Sequence, residues 1–326
     1  MSYLEEALQQ EADVLRESLA LDVEAAVDVL RRVERVHLVG TGSSQHAAEL
    51  GACTLRRCGL DASWWSSATA ARAAQWRDHA VIVISHTGET AFARTVRDQV
   101  LRAEAPHLIT LTGATADWRE ALRVAPREQA ETYTFSYAAV LLVLAKIAGR
   151  VGAPEFGDDA LARSVDAVAE AVSAPLPDVS GRGMVVLAGA GPGAITAREG
   201  ALKLREAARV HAVGYEAEYL LHGSAVPLGA GDELILLQPA ADDDGLVGAI
   251  GEAAAAEGVT VQDVSIDAEL DPVLAQLPLT ARLQALALKL AETRGHNPDV
   301  VITGAWGDEQ LWSLGGPGTA ESGQSA

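Results

Sequence analysis

The chain has 326 residues, 49% of them hydrophobic, and carries a formal net charge of −20. That length supports a large buried core and a prior of two domains, and the acidity disfavours nucleic acid or an anionic membrane surface as a partner. No apolar run approaches the ~20 residues of a membrane span, and the opening M-S-Y-L-E-E-A-L is too acidic for a signal peptide. Cys53 and Cys58, the only cysteines, frame neither a disulfide scaffold nor a zinc site. The expectation is a soluble, cytoplasmic protein with two inert thiols.

In chain order, residues 1–34 read as an N-terminal helix with an apolar stripe through Leu15, Leu19, Val23, Val27 and Leu30. Val36-His37-Leu38-Val39 is a short buried strand closed by Gly40-Thr41-Gly42-Ser43-Ser44, and a helix follows from Gln45 to about Cys58. Val81–Ile84 is the next strand, ending in Ser85-His86-Thr87-Gly88-Glu89-Thr90 before another helix, and Leu108–Leu111 is a third. An apolar helix from Tyr133 to Ala148 stops at Gly149. The pattern then repeats. Val185-Val186-Leu187-Ala188 with Gly189-Ala190-Gly191-Pro192-Gly193 matches Val36–Ser44 at a shift of 149 positions, and Leu234–Leu237 echoes Val81–Ile84. The expected fold class is α/β, with two tandem doubly wound domains of flavodoxin-like type, parallel sheets flanked by helices. Their expected bounds are 35–172 and 184–314, joined by a linker around Ser173–Gly183, with a disordered Gly- and Ser-rich tail at 315–326.

The repeats differ chemically. The first has hydroxyls in both strand-end loops: Thr41, Ser43 and Ser44, then Ser85, Thr87 and Thr90. The matching loops of the second read A-G-P-G and Q-P-A-A-D-D-D, so only the first offers an anion a ring of hydroxyl and backbone N–H donors at strand C-termini. Neither loop carries the features of a dinucleotide or nucleotide phosphate site. In the second repeat, Glu199 to Gly223 begins with helical composition, and Glu199, Lys203 and Glu206 recur at spacings of four and three, which stacks them on one helix face. With His222 further on, two carboxylates, an amine and an imidazole could move protons on a small polar substrate. The same E-x-x-x-K spacing is also the commonest surface ion pair on a helix, and spacing leaves both readings open.

Taken together, Gly42-Ser43-Ser44, Ser85-His86-Thr87-Gly88-Glu89-Thr90 and Glu199–Glu206, followed by His222-Gly223, resemble the sugar isomerase (SIS) family. The likeness is greatest to the double-SIS isomerase part of glutamine–fructose-6-phosphate aminotransferase and to aminosugar-phosphate deaminases and isomerases. Family loops read G-T-S and S-Q-S-G-E-T, and the family helix reads E-G-A-L-K-L-K-E; here one Lys of that helix is Arg205, and Ser224 replaces the usual Pro. The resemblance implies that Glu206 shuttles a proton between C1 and C2 of an open-chain sugar. It implies that His222 assists ring opening from the neighbouring subunit of a homodimer with shared sites. It further implies that Lys203 lies beside the reacting carbons and that Glu199 belongs to the same face; His211, also present in the family helix, is read as structural. Gly42, Ser43, Ser44, Ser85, His86, Thr87 and Thr90 would hold the anionic end of a small sugar substrate, with Glu128 and Thr134 contributing from the family's E-x-x-V-A-x-T-K-x-F segment. No metal and no cofactor are implied.

Two departures bear on the activity. Phe135 stands where that segment has Lys, and the run from Asn297 to Trp306 lacks the lysine with which the aminotransferase forms a Schiff base. Glutamine-dependent amination is therefore not expected. The leading expectation is an aldose–ketose isomerase or isomerising deaminase acting on a sugar phosphate, with an amino sugar among the candidates. A fructosamine-phosphate deglycase, an isomerase of a sulfonated sugar and a non-catalytic sugar-phosphate sensor are the alternatives.

Overall fold

Two parallel β-sheets, each flanked by helices, organise the computed structural model, which describes residues 1–73, 76, 79–103, 107–238, 244–266 and 269–316. Helices α1 (Tyr3–Leu19) and α2 (Glu24–Leu30) open the chain. The first sheet and its helices follow as β1 (Arg35–Gly40), α3 (Ser43–Arg56), β2 (Asp61–Ser66), α4 (Ser67–Ala73), β3 (Ala80–Ile84), α5 (Ala91–Arg102), β4 (Leu108–Gly113) and β5 (Ala121–Ala125). Then come α6 (Phe135–Val151) and α7 (Asp158–Ser173). The second sheet is built by β6 (Val185–Gly189), α8 (Pro192–Ala208), β7 (Ala212–Glu216), α9 (Ala217–Tyr219), β8 (Glu233–Gln238), α10 (Leu246–Ala256), β9 (Thr260–Ser265) and α11 (Gln276–Arg294), with α12 (Glu309–Ser313) near the end.

The chain forms two units. One takes in residues 14–128 and 136–161 and the segment from 302; the other takes in 1–13, 129–135 and 162–301. In the first, the sheet order is β2-β1-β3-β4-β5 with every pairing parallel, the flavodoxin-like order. Its interior strands are mostly apolar because helices cover both faces, with His37 in β1 and Thr110 and Thr112 in β4 among the exceptions. Val39, Val81 and Val83 pack with Val96, Val100 and Trp118 in one buried cluster. In the second unit the order β7-β6-β8-β9 repeats the first four positions, again all parallel. There Val186, Ala188, Leu234 and Leu236 pack with Leu220, Val247 and Ile250.

Several local features differ from the sequence-based expectation. The single helix over 1–34 is two, because Lys146 Nζ donates to the carbonyls of Leu19 and Leu21 at 2.6 and 2.5 Å and closes α1. The Asp22 carboxylate then accepts the Glu24 N–H at 2.9 Å and starts α2. Strands β2, β5, β7 and β9 were not anticipated, and all four lie at sheet edges. Residues 317–326 of the expected disordered tail lie outside the described residues, as do 239–243 of the Q-P-A-A-D-D-D loop. Gly315, within the expected tail, accepts a hydrogen bond on its carbonyl from Thr95 Oγ1 at 2.7 Å. Among the described residues no helix is long and apolar enough to cross a membrane.

Candidate active site

Helix α8 starts after Gly191, whose φ of +53° suits glycine, with Pro192 at the first helical position. It packs between the sheet and α11. A side chain at Gly200 would place its Cβ 2.4 Å from Leu283 Cδ1, so the glycine inside E-G-A-L-K permits the close approach of α11. Thr196 Oγ1 donates to Gln276 Oε1 at 2.7 Å and fixes the same contact. This central position buries a face that an amphipathic surface helix would leave wet.

On that face the charged residues meet. Lys203 Nζ lies 3.3 Å from Glu199 Oε1 and 2.8 Å from Glu206 Oε2, and it donates a third bond to the Thr132 carbonyl. Side-chain exposure is 0% for Glu199, 2% for Lys203 and 22% for Glu206. The surface ion-pair reading of this spacing is thereby ruled out. Burial pushes the Lys203 ammonium toward the neutral form, but the carboxylates of Glu199 and Glu206 outweigh it and hold its pKa above the ordinary lysine value. Glu206 is shifted the other way from a usual ion-paired acid. Burial raises its pKa first, Lys203 pulls it back, and the charge of Glu199 pushes it up again. The result is a carboxyl with raised proton affinity that keeps an open edge, the condition for a general base working between two carbons. Arg205, where the family helix has Lys, donates to the Ala212 carbonyl at 2.6 Å and ties α8 to β7.

His222 lies in a wide turn after α9. Its own φ/ψ of −94°/38° and the φ of +100° at Gly223 break the helix there. Leu220 turns into the core, whereas Tyr219, Leu221 and Val226 are exposed. The His222 side chain is 71% exposed, and Glu218 Oε1 is 3.8 Å from its Nε2. Thr134, in the same unit, is fully buried.

In the other unit, the loops after β1 and β3 leave adjacent strands at the point where the strand order reverses, the usual ligand crevice of such sheets. Gly40 admits no side chain, since a Cβ would fall 2.1 Å from the Ser44 carbonyl oxygen. Gly42, at φ +60°, delivers Ser43 and Ser44 into the first turn of α3. In the second loop Ser85 Oγ lies 3.4 Å from Thr90 Oγ1, and Thr87 Oγ1 accepts the Glu89 N–H at 3.1 Å. Gly88 is at φ +72° with Trp118 Nε1 3.1 Å from where a Cβ would sit, so the loop folds tightly over that indole.

His86 and Glu128, both expected at the substrate, have internal partners. His86 Nε2 accepts the Glu128 N–H at 3.2 Å, which requires a neutral ring. Burial, with Arg127 adding, lowers its pKa to about 4. The Glu128 carboxylate accepts from both the N–H and the hydroxyl of Ser136, at 2.9 and 2.6 Å, in the first turn of α6. Sequence reasoning did not single out Thr132, Trp118 or Glu216. A carbonyl acceptor such as that of Thr132 leaves no side-chain signature.

These features define an α/β protein with the fold of phosphosugar isomerases and deaminases. No family model matches the chain. It is 23% identical over 317 residues to a glutamine–fructose-6-phosphate aminotransferase (isomerizing) of Sulfurisphaera tokodaii, covering 90% of this chain and 53% of that protein. The chain thus spans about half the length of the curated relatives it matches. Among solved structures it is similar to glucosamine-6-phosphate deaminase from Thermotoga maritima, with a TM-score of 0.76, 19% identity and coverage of 91% of this chain and 97% of that one. It is also similar to tagatose-6-phosphate ketose/aldose isomerase from Escherichia coli, with a TM-score of 0.75, 15% identity and coverage of 93% and 96%.

Proposed function

We propose that this chain is an aldose–ketose isomerase or isomerising deaminase of a sugar phosphate, with Glu206 as the base. The observation that carries this reading is the buried Glu199–Lys203–Glu206 cluster, in which Glu206 combines raised proton affinity with an open edge. In the forward direction the Glu206 carboxylate takes the proton from C2 of the open-chain sugar. The C2–H electron pair becomes the C1–C2 double bond of an enediol or enolamine as the C1=O π pair moves to O1, which takes a proton from solvent. The same carboxyl then returns its proton to C1 while the C2 hydroxyl or amine loses a proton to solvent, giving the C2 ketone directly or a C2 imine that water hydrolyses with release of ammonia. Lys203, held by two carboxylates and a carbonyl, supplies positive charge beside the base while the substrate carries negative charge. Ser43, Ser44, Ser85, Thr87 and Thr90, with the dipole of the α3 N-terminus, are the proposed anion-binding loops of the first-sheet unit.

His222 is proposed to serve a second copy of the chain. Tyr219, Leu221 and Val226 give it an exposed apolar surround suited to an isologous interface. Mixed dimers of Glu206→Gln and His222→Ala subunits would then recover up to about a quarter of wild-type activity on random exchange, since half the dimers are mixed and half their sites intact. Sites made within one chain would recover none.

The test of the function is deuterium wash-in at C2 from heavy water across a panel of hexose phosphates and 2-amino-hexose phosphates. Exchange into at least one of them is expected, and ammonia release then separates deaminase from isomerase. Binding of these sugars with no exchange into any would overturn the enzyme reading in favour of a sensor.

A further inference from the structure

The loop from Ser85 to Thr90 has its first residues fixed to β4: the Ser85 N–H donates to the Leu111 carbonyl at 3.1 Å, and the His86 carbonyl accepts the Gly113 N–H at 2.9 Å. Its tip is tied within itself, the Glu89 N–H donating to Thr87 Oγ1, and rests on a side chain from a distant segment. Gly88, at φ +72°, lies so close to Trp118 that a Cβ there would be 3.1 Å from the indole Nε1 and 3.3 Å from Cε2. Trp118 is 2% exposed and belongs to the core cluster of this unit. Over its ring lies the Arg97 guanidinium, with Cζ 5.1 Å from the ring centroid. Arg97 donates to Glu120 from Nε at 2.5 Å and from Nη2 at 2.9 Å, and to Asp98 from Nη1 at 3.1 Å. That two-point fork fixes the guanidinium plane, which a single bond would leave free to turn. On the backbone side, Arg123 Nη2 donates to the carbonyls of Ala116 and Trp118, both at 3.3 Å. Arg97 stands on α5, the helix that begins directly after Thr90. Loop tip, indole, guanidinium and α5 form a closed ring of contacts.

We propose that this ring preorganises the Ser85–Thr90 loop for an anion, with Trp118 and Arg97 as positioning residues for the anionic tail of the substrate. The inference rests on that loop being an anion site; neither side chain is assigned a contact with the anion itself. A loop held in one shape before the ligand arrives loses no binding energy to being ordered. Trp118 supplies a rigid floor under Gly88, and Arg97 keeps the indole from turning out from beneath it. Charge alone leads to a different expectation. The hydrogen bonds between Arg97 and Glu120 hold the guanidinium above its ordinary pKa and the carboxyl below its own, so both stay charged at neutral pH. Replacing Glu120 by a neutral residue deletes a negative charge, which by electrostatics tightens the binding of an anion. Within the ring the same change frees the guanidinium and weakens binding. The two accounts differ in sign.

The experiment measures inorganic phosphate binding to the full chain by calorimetry, with a urea unfolding curve for each variant. Trp118→Leu should weaken binding about tenfold, and Trp118→Phe, which keeps a ring under Gly88, should stay within about twofold of wild type. Arg97→Lys, which keeps the charge but loses the fork, and Glu120→Ala should each weaken binding about threefold. Unchanged or tighter binding in either of these two overturns the positioning role. Both side chains are partly exposed, at 20% and 29%, so these variants decide the question should Trp118→Leu not fold. A merely structural role would lower the unfolding midpoints and leave the phosphate affinity of the folded protein unchanged. The double variant Ser85→Ala/Thr87→Ala separates the two layers of the inference. If it loses phosphate while the ring variants keep it, the loop is the anion site and the ring alone fails. If it binds phosphate as wild type does, the anion-site reading fails and the ring with it. In turnover of the hexose phosphates, the loss in the ring variants should fall on KM, with kcat retained.

Discussion

The turn that leaves β1 and the turn that leaves β6 share a backbone. Gly42 and Gly191 hold φ of +60° and +53°, and in each case the last glycine of the strand has no room for a side chain. What faces the two turns differs. Ser66 ends β2 opposite Gly40, while Glu216 ends β7 opposite Gly189. The Glu216 carboxylate accepts the Gly191 N–H at 3.3 Å. The second turn is thus served by a carboxylate of its own unit, which repels an incoming anion, whereas the first is lined by hydroxyls. The two turns thus differ in chemistry before any ligand is considered: one is lined by hydroxyls, and the other introduces the helix that buries Glu199, Lys203 and Glu206.

The contrast can be broken most forcibly at Lys203. In Lys203→Met two carboxylates remain in a buried site without their cation, and stability should fall by about 3–5 kcal/mol, measured by urea unfolding. Unchanged stability would mean the cluster does not hold its charges as described. On the side of the first sheet, the vulnerable group is a neutral histidine. His86 has a folded pKa of about 4 against an ordinary 6.5, so the unfolded chain binds a proton in this window and the folded chain does not. Stability present above pH 6.5 should therefore be lost progressively as pH falls toward 4, by up to about 3 kcal/mol. Unfolding at pH 7.5 and pH 5 should show this in the wild type and a flatter profile in His86→Gln.

Smaller effects sharpen the difference between the two turns. Ser85→Ala combined with Thr87→Ala should raise KM about tenfold with kcat retained, since these hydroxyls act on the non-reacting tail. An unchanged KM would place the anion elsewhere. Gly42→Ala and Gly191→Ala should each cost about 1–3 kcal/mol, because φ of +60° and +53° with ψ of −132° and −121° is backbone that only glycine adopts readily. Only Gly42→Ala should also raise KM, which steady-state kinetics alongside thermal unfolding would reveal.

What could be read in the sequence divides along the same physical lines. The interior strands β1, β3, β4, β6 and β8 are dominated by apolar residues because both faces are covered, and all five are visible from that. The edge strands are not. D-A-S-W-W-S of β2 and T-V-Q-D-V-S of β9 mix polar and apolar residues because part of each meets solvent. The Glu199–Lys203–Glu206 face was legible from helical spacing, but its burial was not, since that comes from the approach of α11 at Gly200. Thr132 was invisible because it acts through its carbonyl.

Hydrogen exchange at C2 of a bound sugar phosphate in heavy water, compared between wild type and Glu206→Gln, bears on the proton-shuttle role more directly than any product assay. Glutamine keeps the shape and the hydrogen bonding to Lys203 but cannot take a proton. Exchange should fall at least about a hundredfold while sugar-phosphate binding, followed by calorimetry, stays within a few-fold of wild type. Exchange that persists at the wild-type rate in a folded, substrate-binding Glu206→Gln protein would show that another group moves the proton and that the buried cluster on α8 is structural.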